Sequence, residues 1–246
     1  MSEIIITFFL SFGVHLWSTV AGGGGAVLIP ALLFLGLSPQ EAIATNRFSG
    51  LSNLFALLSF HRQGHVKWKL GLFLAGFAAL GGFIGSALVL RLHTQILEKG
   101  IGVLLLLALP MLFVKKDAGL RESARVHTRR KHIGGGALMV LLGALGGFFA
   151  GTGIWFSYVF LFYYGLTFLQ TAAIQKIIGF AIIIVSLALF IPAGIIHWPI
   201  ALSMFAGGSL GGFLGVHYAT YLGGNGFVRY LFALVVLASA IRILVQ

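Results

Sequence analysis

Two positive charges inside long apolar runs are the strongest chemical signal in this sequence. Arg47 lies in AIATNRFSG and Lys176 in QTAAIQKIIGF. A guanidinium stays protonated at any ordinary pH, and a cation in a bilayer costs at least about 2.5 to 3.5 kcal/mol. Snorkelling is the alternative, but it suits cations near helix ends. We expect a mobile anion as the partner, because none of the acidic residues lies deep in an apolar run: Glu3, Glu41, Glu98, Asp117 and Glu122.

Polar side chains accompany the first cation. At helical spacing, the face beside Arg47 carries Gly50 together with Asn46, Ser49 and Asn53. Amide and hydroxyl donors suit an oxyanion. In the second half Gln175 precedes Lys176, but isoleucines occupy positions 178 and 182. The sequence therefore predicts an asymmetric anion site; the alternative is that Ser49 and Asn53 only bond to a neighbouring helix.

Glycines interrupt the first apolar segment of each half. Gly22, Gly23, Gly24 and Gly25 are consecutive in one, and Gly151-Thr152-Gly153 lies in the other. A glycine in a helix interior costs about 1 kcal/mol relative to alanine. Broken helices survive at membrane depth where protein or a water-filled cavity satisfies the freed backbone. We expect both breaks to face a cavity; close helix packing through small residues is the alternative.

Other chemistry is sparse. His15 and His217 fall in apolar spans and could carry protons, or could simply be hydrogen-bonded structure. The remaining histidines lie in loops or at segment ends, so we expect no metal site. There is no cysteine, and the sequence contains no HExxH, GxSxG or GxxxxGK[ST] motif. We expect no enzyme activity, no cofactor and no direct use of ATP.

The elements that must position these residues are membrane helices. The chain is 59% hydrophobic and 9% charged, with a mean hydropathy of +1.04, whereas about a quarter of the residues in a soluble domain are charged. Alternating amphipathic runs of the kind a transmembrane barrel needs are absent. The segments long enough to cross a bilayer are 4–37, 39–60, 70–90, 98–114, 134–166, 169–193, 198–222 and 227–245.

The basic residues are concentrated in one loop. Seven of the sixteen lie in KKDAGLRESARVHTRRK, residues 115–131. Such loops remain in the cytoplasm, so the net charge of +11 marks topology and not nucleic-acid binding; attraction to anionic lipid is the alternative. We expect a multi-pass protein of the cell (inner) membrane with a repeat at 1–114, a basic cytoplasmic linker at 115–132 and a second repeat at 133–246.

The two halves repeat each other at an offset of 129 to 130 residues. AGGG matches AGTG, GLS matches GLT, EAIATNR matches QTAAIQK, VKW matches IHW, and GGFIG matches GGFLG. Ser38 to Glu41 and Thr167 to Gln170 are capping boxes, so matched helices begin there. Arg47 and Lys176 then lie ~13 Å into their helices. The GGFIG motif and its copy at 211–215 have no polar side chain and should pack helices.

Charge also predicts the relative orientation of the repeats. HRQGHVKWK, residues 61–69, is basic, while its counterpart PAGIIHWP, residues 192–199, has neither lysine nor arginine. Inverted repeats would place the first loop inside and the second outside. The expected fold is an all-α polytopic transmembrane bundle of two homologous, inverted repeats, each starting with a glycine-broken helix. Inversion requires each break to turn the chain back or cross twice, which raises the count from eight segments to ten helical pieces.

The chain resembles the sulfite exporter TauE/SafE family of membrane permeases over nearly its whole length. The resemblance rests on AGGGGAVLIPALLFLGLSPQEAIATNR, on HRQGHVKW and GGFIG, and on weaker copies in the second half, where AGTG is a shorter break and AAIQK lacks the threonine of IATNR. It implies transport of sulfite, sulfonates or related anions, with carboxylates in some members. The candidate substrate-binding residues are Asn46, Arg47, Gln175, Lys176, Thr45, Ser49, Asn53, Gly22, Gly23, Gly24, Gly151, Thr152 and Gly153.

The function predicted first is a secondary transporter of a small anion that works by alternating access at the repeat interface. A negative cell interior pushes an anion outward, so export needs no coupling ion. The alternatives are an anion channel, a proton-coupled importer of a carboxylate or sulfur anion, and a partner subunit that does not itself transport. The expected partners are the anion and the lipid bilayer. Whether the chain acts alone or as a homo-oligomer stays open.

Overall fold

The chain is almost entirely helical. A computed structural model describes residues 2–108 and 129–222, and within these ranges there is no strand. The predicted span 227–245 and the first part of the predicted linker, 115–128, lie outside the described residues. The helices are α1 (Ser2–Ala21), α2 (Gly25–Phe34), α3 (Pro39–Ser49), α4 (Asn53–Arg62), α5 (Trp68–Arg91), α6 (Thr94–Ala108), α7 (Arg129–Phe148), α8 (Gly153–Tyr158), α9 (Phe168–Phe190) and α10 (Trp198–Leu222).

Several of these helices can cross a bilayer. In the described part of the chain, four are long and apolar enough: Ser2–Thr19, Trp68–Arg91, Phe168–Phe190 and Trp198–His217. Shorter apolar pieces accompany them at Gly25–Phe34, Ile133–Phe148 and Gly153–Tyr163. The prediction of an all-α transmembrane bundle is confirmed.

One segment differs from the prediction. The segment predicted as one span, 39–60, is α3 and α4 joined by a 3-10 turn, Gly50–Ser52. The backbone stays in the right-handed helical region through this turn, so the segment remains one continuous helical span with a tighter turn in its middle.

Both long first segments are broken, as predicted. The first divides at Gly22–Gly24 into α1 and α2, and the second divides between Phe148 and Gly153 into α7 and α8. Gly22 and Gly23 have φ angles of 75° and 80°, which glycine adopts without the steric penalty other residues incur. A π-helical turn, Val159–Tyr163, follows α8.

The next helix of each half begins at its predicted capping box. Ser38 Oγ accepts a hydrogen bond from the Glu41 amide, and Glu41 Oε2 accepts one from the Ser38 amide at 2.9 Å. Thr167 and Gln170 make the same pair of bonds at the start of α9. Each box satisfies two backbone donors that a helix start leaves open. These local contacts set the register of α3 and α9, the helices that carry the two cations.

Glycines hold the long helices together in pairs. A Cβ at Gly81 or Gly85 of α5 would collide with the carbonyl groups of Val140 and Ala144 on α7. The copy of this motif packs α10 against α1 in the same way, with Gly211 and Gly215 on the carbonyl groups of Phe12 and Leu16. The predicted packing role of both motifs is confirmed. In each pair, the first helix of one half contacts a long helix of the other half, α1 with α10 and α7 with α5.

Candidate functional site

A cavity of about 130 Å³ lies where the two helix breaks meet α3 and α9. Among the described residues no carboxylate lines it. Glycines of both breaks form part of its wall, and Phe156, Ile182, Ile183 and Leu28 provide apolar surface. The polar side chains that line it are His15, Ser18, Asn46, Arg47, Asn53, Thr152, Gln175 and Lys176.

Both predicted cations reach this cavity. Arg47 is 6% exposed and Lys176 is 9% exposed. Lys176 Nζ donates a hydrogen bond to Asn53 Oδ1 at 2.9 Å. Arg47 Nε and Nη2 are buried and have no hydrogen-bond partner among the described residues. The two cations therefore differ in their hydrogen-bond partners: the ammonium of Lys176 has a neutral amide partner, and one edge of the Arg47 guanidinium has none within the described part of the chain.

Side chains on both sides of the 3-10 turn bond to carbonyl groups of the same segment, which also accept backbone donors. Ser49 Oγ donates to the carbonyl oxygen of Asn46 at 2.9 Å, and Asn53 Nδ2 donates to that of Gly50 at 2.9 Å. Ser49 thus bonds its own helix and not a neighbouring one. Asn53 both holds the turn and spans from the first half of the chain to the second.

Gln175 secures the second break. Its Nε2 donates to Ser157 Oγ at 2.6 Å, and Ser157 Oγ in turn donates to the carbonyl oxygen of Gly153 at 3.2 Å. Gln175 Oε1 lies 2.8 Å from where a Cβ at Gly22 would stand, and a Cβ at Gly153 would collide with the amide nitrogen of Gly23. The two breaks therefore pack directly on one another while also lining the cavity. A cavity-facing role and a packing role are alternatives when only the sequence is considered, and these same glycines have both roles.

Four predicted site residues do not line the cavity. Thr45 Oγ1 accepts a hydrogen bond from the His197 amide at 3.0 Å, and Ser49 points into its own helix. Gly151 packs against the Phe149 ring. His217 is exposed on α10, with its ring 5.4 Å from that of Phe213.

His15, in contrast, is part of the cavity. Its side chain is 7% exposed and lines the wall beside the two cations. His15 Nδ1 is 2.9 Å from the carbonyl oxygen of Ser11. Because a carbonyl oxygen can only accept, Nδ1 carries the proton in this contact. A hydrogen-bonded structural role therefore accounts for Nδ1 of His15 but not for Nε2.

Gly179 is a lining residue that sequence reasoning missed. The signal was present, because Gly179 lies 129 positions after Gly50, which was placed on the face of Arg47. Many residues that line the cavity form pairs separated by the same 129 positions. The matched lining positions are Gly23 and Thr152, Gly24 and Gly153, Asn46 and Gln175, Arg47 and Lys176, Gly50 and Gly179, and Asn53 and Ile182.

The fold and the site define a multi-pass helical membrane protein with a cationic internal cavity. The chain belongs to the Sulfite exporter TauE/SafE family, whose sequence profile matches residues 7–243. A probable membrane transporter protein, ORF9, of a Sinorhizobium species is 32% identical over 92% of this chain and 86% of the relative. One from Haemophilus influenzae is 32% identical over 86% and 83%. YfcA of Escherichia coli is 26% identical over 85% and 78%.

No solved structure matches the chain. Since the family and these relatives are membrane transporters by name, the protein is a membrane transporter of the TauE/SafE family.

Proposed function

We propose that the protein transports a small oxyanion that binds between Arg47 and Lys176. The observation that carries this proposal is a single cavity lined by two buried cations and, among the described residues, by no carboxylate. A buried charge without a partner is costly. A bound anion would compensate both cations at once, which the neutral side chains around them cannot do.

The donors suit an oxyanion in particular. Nε and Nη2 form one edge of a guanidinium, and two parallel N–H groups on such an edge match two oxygens on one atom. Lys176 donates one proton to Asn53, and an ammonium has three. A cavity of about 130 Å³ has room for a small oxyanion, since one water molecule needs about 10 to 15 Å³ of such volume. Sulfite, named in the family description, and small sulfonates fit these limits.

Alternating access and export complete the proposal. Matched lining positions from both halves support a binding site at the interface of two repeats, where secondary transporters bind their substrates. Uptake against the membrane potential would need a coupling ion, and among the described residues no carboxylate lines the cavity to bind Na⁺. Export needs none, because the membrane potential favours outward movement of an anion by about 2.3 kcal/mol per charge per 100 mV. We therefore assign outward transport. Flux that fails to saturate with anion concentration would indicate a channel instead.

The test is anion binding by purified Arg47→Gln and Lys176→Gln variants, measured as thermal stabilisation by sulfite. Losing a charged hydrogen bond of about 1.5 to 3 kcal/mol should weaken binding about tenfold to a hundredfold, with the larger loss for Arg47 because only a guanidinium has the bidentate edge. Without sulfite, neither variant should melt below the wild type, since each removes a buried charge.

Arg62→Gln is the matched control, because Arg62 is an exposed cation at the end of α4. It should bind sulfite as the wild type does. Normal binding by both cavity variants would overturn the proposed site. A marked loss of stability without sulfite in both would also overturn it, because the two residues would then be structural.

A further inference from the structure

His15 places a third titratable side chain in the anion cavity. Helix α1 carries it into the cavity wall, where a Cβ at Gly208 of α10 would lie 3.0 Å from His15 Nδ1 and 2.8 Å from Ser52 Oγ. The absence of a side chain at Gly208 is what lets the imidazole fit between α1 and α10. The ring is therefore held in place by packing, and its position does not depend on a charged partner.

The hydrogen bonds of His15 leave one ring nitrogen available. Nδ1 donates to the carbonyl oxygen of Ser11 and lies 3.2 Å from Ser11 Oγ. With the proton fixed on Nδ1, Nε2 is the nitrogen that can gain one. Among the described residues Nε2 has no hydrogen-bond partner. A proton taken up by His15 would therefore go to Nε2.

Among the residues that the structure describes, the charged side chains lining the cavity with His15 are all positive. On the elements that pack against α1, the charged side chain facing the cavity is Lys176 of α9, and Arg47 of α3 lines the same cavity. Helix α2 has no titratable side chain, Tyr158 of α8 does not line the cavity, and α10 presents Gly208. Two cations oppose a third charge. A divalent anion bound among them offsets both charges, and attraction to the anion then favours the imidazolium.

We infer that His15 is a proton-binding site of the anion cavity, and that a divalent anion binds together with one proton taken up from solvent at His15 Nε2. This rests on the proposed function. A monovalent anion leaves the cavity with a net positive charge even when His15 is neutral, so it binds without the proton. The charge of the cavity thus adjusts to that of the anion, and a dianion crosses the membrane as a complex with one proton.

The experiment counts protons during binding. Sulfate and methanesulfonate are the probes, because both have fixed charges of −2 and −1 between pH 6 and 9 and cannot themselves release or take up a proton. Calorimetric titration of the purified protein in buffers of different ionisation enthalpy gives the number of protons absorbed. At a pH where free His15 is neutral, we expect uptake approaching one proton per sulfate and none per methanesulfonate. Sulfate affinity should then fall by up to tenfold per unit rise in pH.

His15→Asn supplies the matched variant, since its amide can still donate to the Ser11 carbonyl but cannot titrate. It should bind sulfate without proton uptake, and its sulfate affinity should no longer fall as the pH rises. His217→Asn, on the exposed face of α10, should keep the wild-type uptake. Sulfate binding by the wild type without proton uptake, or uptake that persists in His15→Asn, would overturn the inference. So would a wild type that binds methanesulfonate but not sulfate. If neither anion nor sulfite binds, the proposed function itself fails.

Discussion

At the scale of single residues, the asymmetry of the site comes from one position in each half. Asn53 lines the cavity and accepts a hydrogen bond from Lys176, whereas the position 129 residues later is Ile182. An isoleucine cannot accept a hydrogen bond from Arg47 as Asn53 does from Lys176. Among the described residues, the ammonium therefore has a neutral partner and one edge of the guanidinium has none.

Two substitutions of Asn53 should have opposite effects. In Asn53→Asp, a carboxylate would pair with Lys176 and cancel one cavity charge, so sulfite affinity should fall at least tenfold while the melting temperature without sulfite is kept or raised. In Asn53→Leu, Lys176 loses its partner at a cost of about 1 to 3 kcal/mol, so stability should fall while sulfite still binds. Binding and thermal melting are measured for both. Wild-type affinity in Asn53→Asp would show that Lys176 does not hold the anion.

The sequence predicted the cations but not their partners. A permanent charge in an apolar run is visible without any structure, and so are Asn46 and Gln175 beside Arg47 and Lys176. Whether Asn53 bonds to Arg47, six residues before it, or to Lys176 in the other half depends on how two distant helices face each other. That relation has no signature in local spacing, which is why Ser49 and Asn53 were both expected to serve the anion and only Asn53 lines the cavity.

At the scale of elements, local rules predicted where helices start and break, and tertiary contacts decided the rest. The capping boxes at Ser38 and Thr167 and the glycine breaks involve neighbours in sequence, so they could be read directly. The 3-10 turn Gly50–Ser52 could not be predicted in this way, because Ser49 and Asn53, whose side chains bond to carbonyl groups beside it, could equally have faced another helix. Mid-helix turns of this kind often mark functional positions.

Filling the cavity from α9 tests whether its space is needed. A Cβ at Gly179 meets no atom within 4 Å, so Gly179→Leu should place its side chain in the cavity without straining the backbone. Leucine also favours a helix over glycine by nearly 1 kcal/mol, so the variant should be at least as stable as the wild type. Sulfite binding and transport in liposomes should be lost.

Gly76 provides the comparison for this variant. It lies in the interior of α5 on an exposed face, and a Cβ there also meets nothing within 4 Å. Gly76→Leu should gain the same helix propensity and keep full transport. Undiminished transport by Gly179→Leu would show that the anion does not pass through this cavity.

At the scale of the whole molecule, the two halves exchange contacts in a reciprocal way. The first helix of each half, α1 or α7, packs through glycines on the long helix α10 or α5 of the other half. Glycines in the left-handed backbone region also recur in matched pairs, Gly36 with Gly165 and Gly64 with Gly194. These correspondences support the predicted repeat. The direction of each half relative to the membrane is a separate question, and it stays a prediction based on loop charge.

Cysteine labelling decides the orientation, because the chain has no cysteine of its own. Gly64 and Gly194 occupy equivalent exposed turns, with φ angles of 76° and 68° and no atom within 4 Å of an added Cβ. Gly64→Cys and Gly194→Cys should therefore cost a similar ~1 to 2 kcal/mol of backbone strain and expose thiols equally well. If the repeats are inverted, a membrane-impermeant maleimide should label Cys at 194 in intact cells, and Cys at 64, in the basic loop, only after permeabilisation. Each variant must still transport sulfite, which shows that labelling reports the native fold. Labelling of both thiols from the same side would mean that the halves run parallel, and the two cations could then not exchange access across the membrane by a symmetric rocking of the repeats.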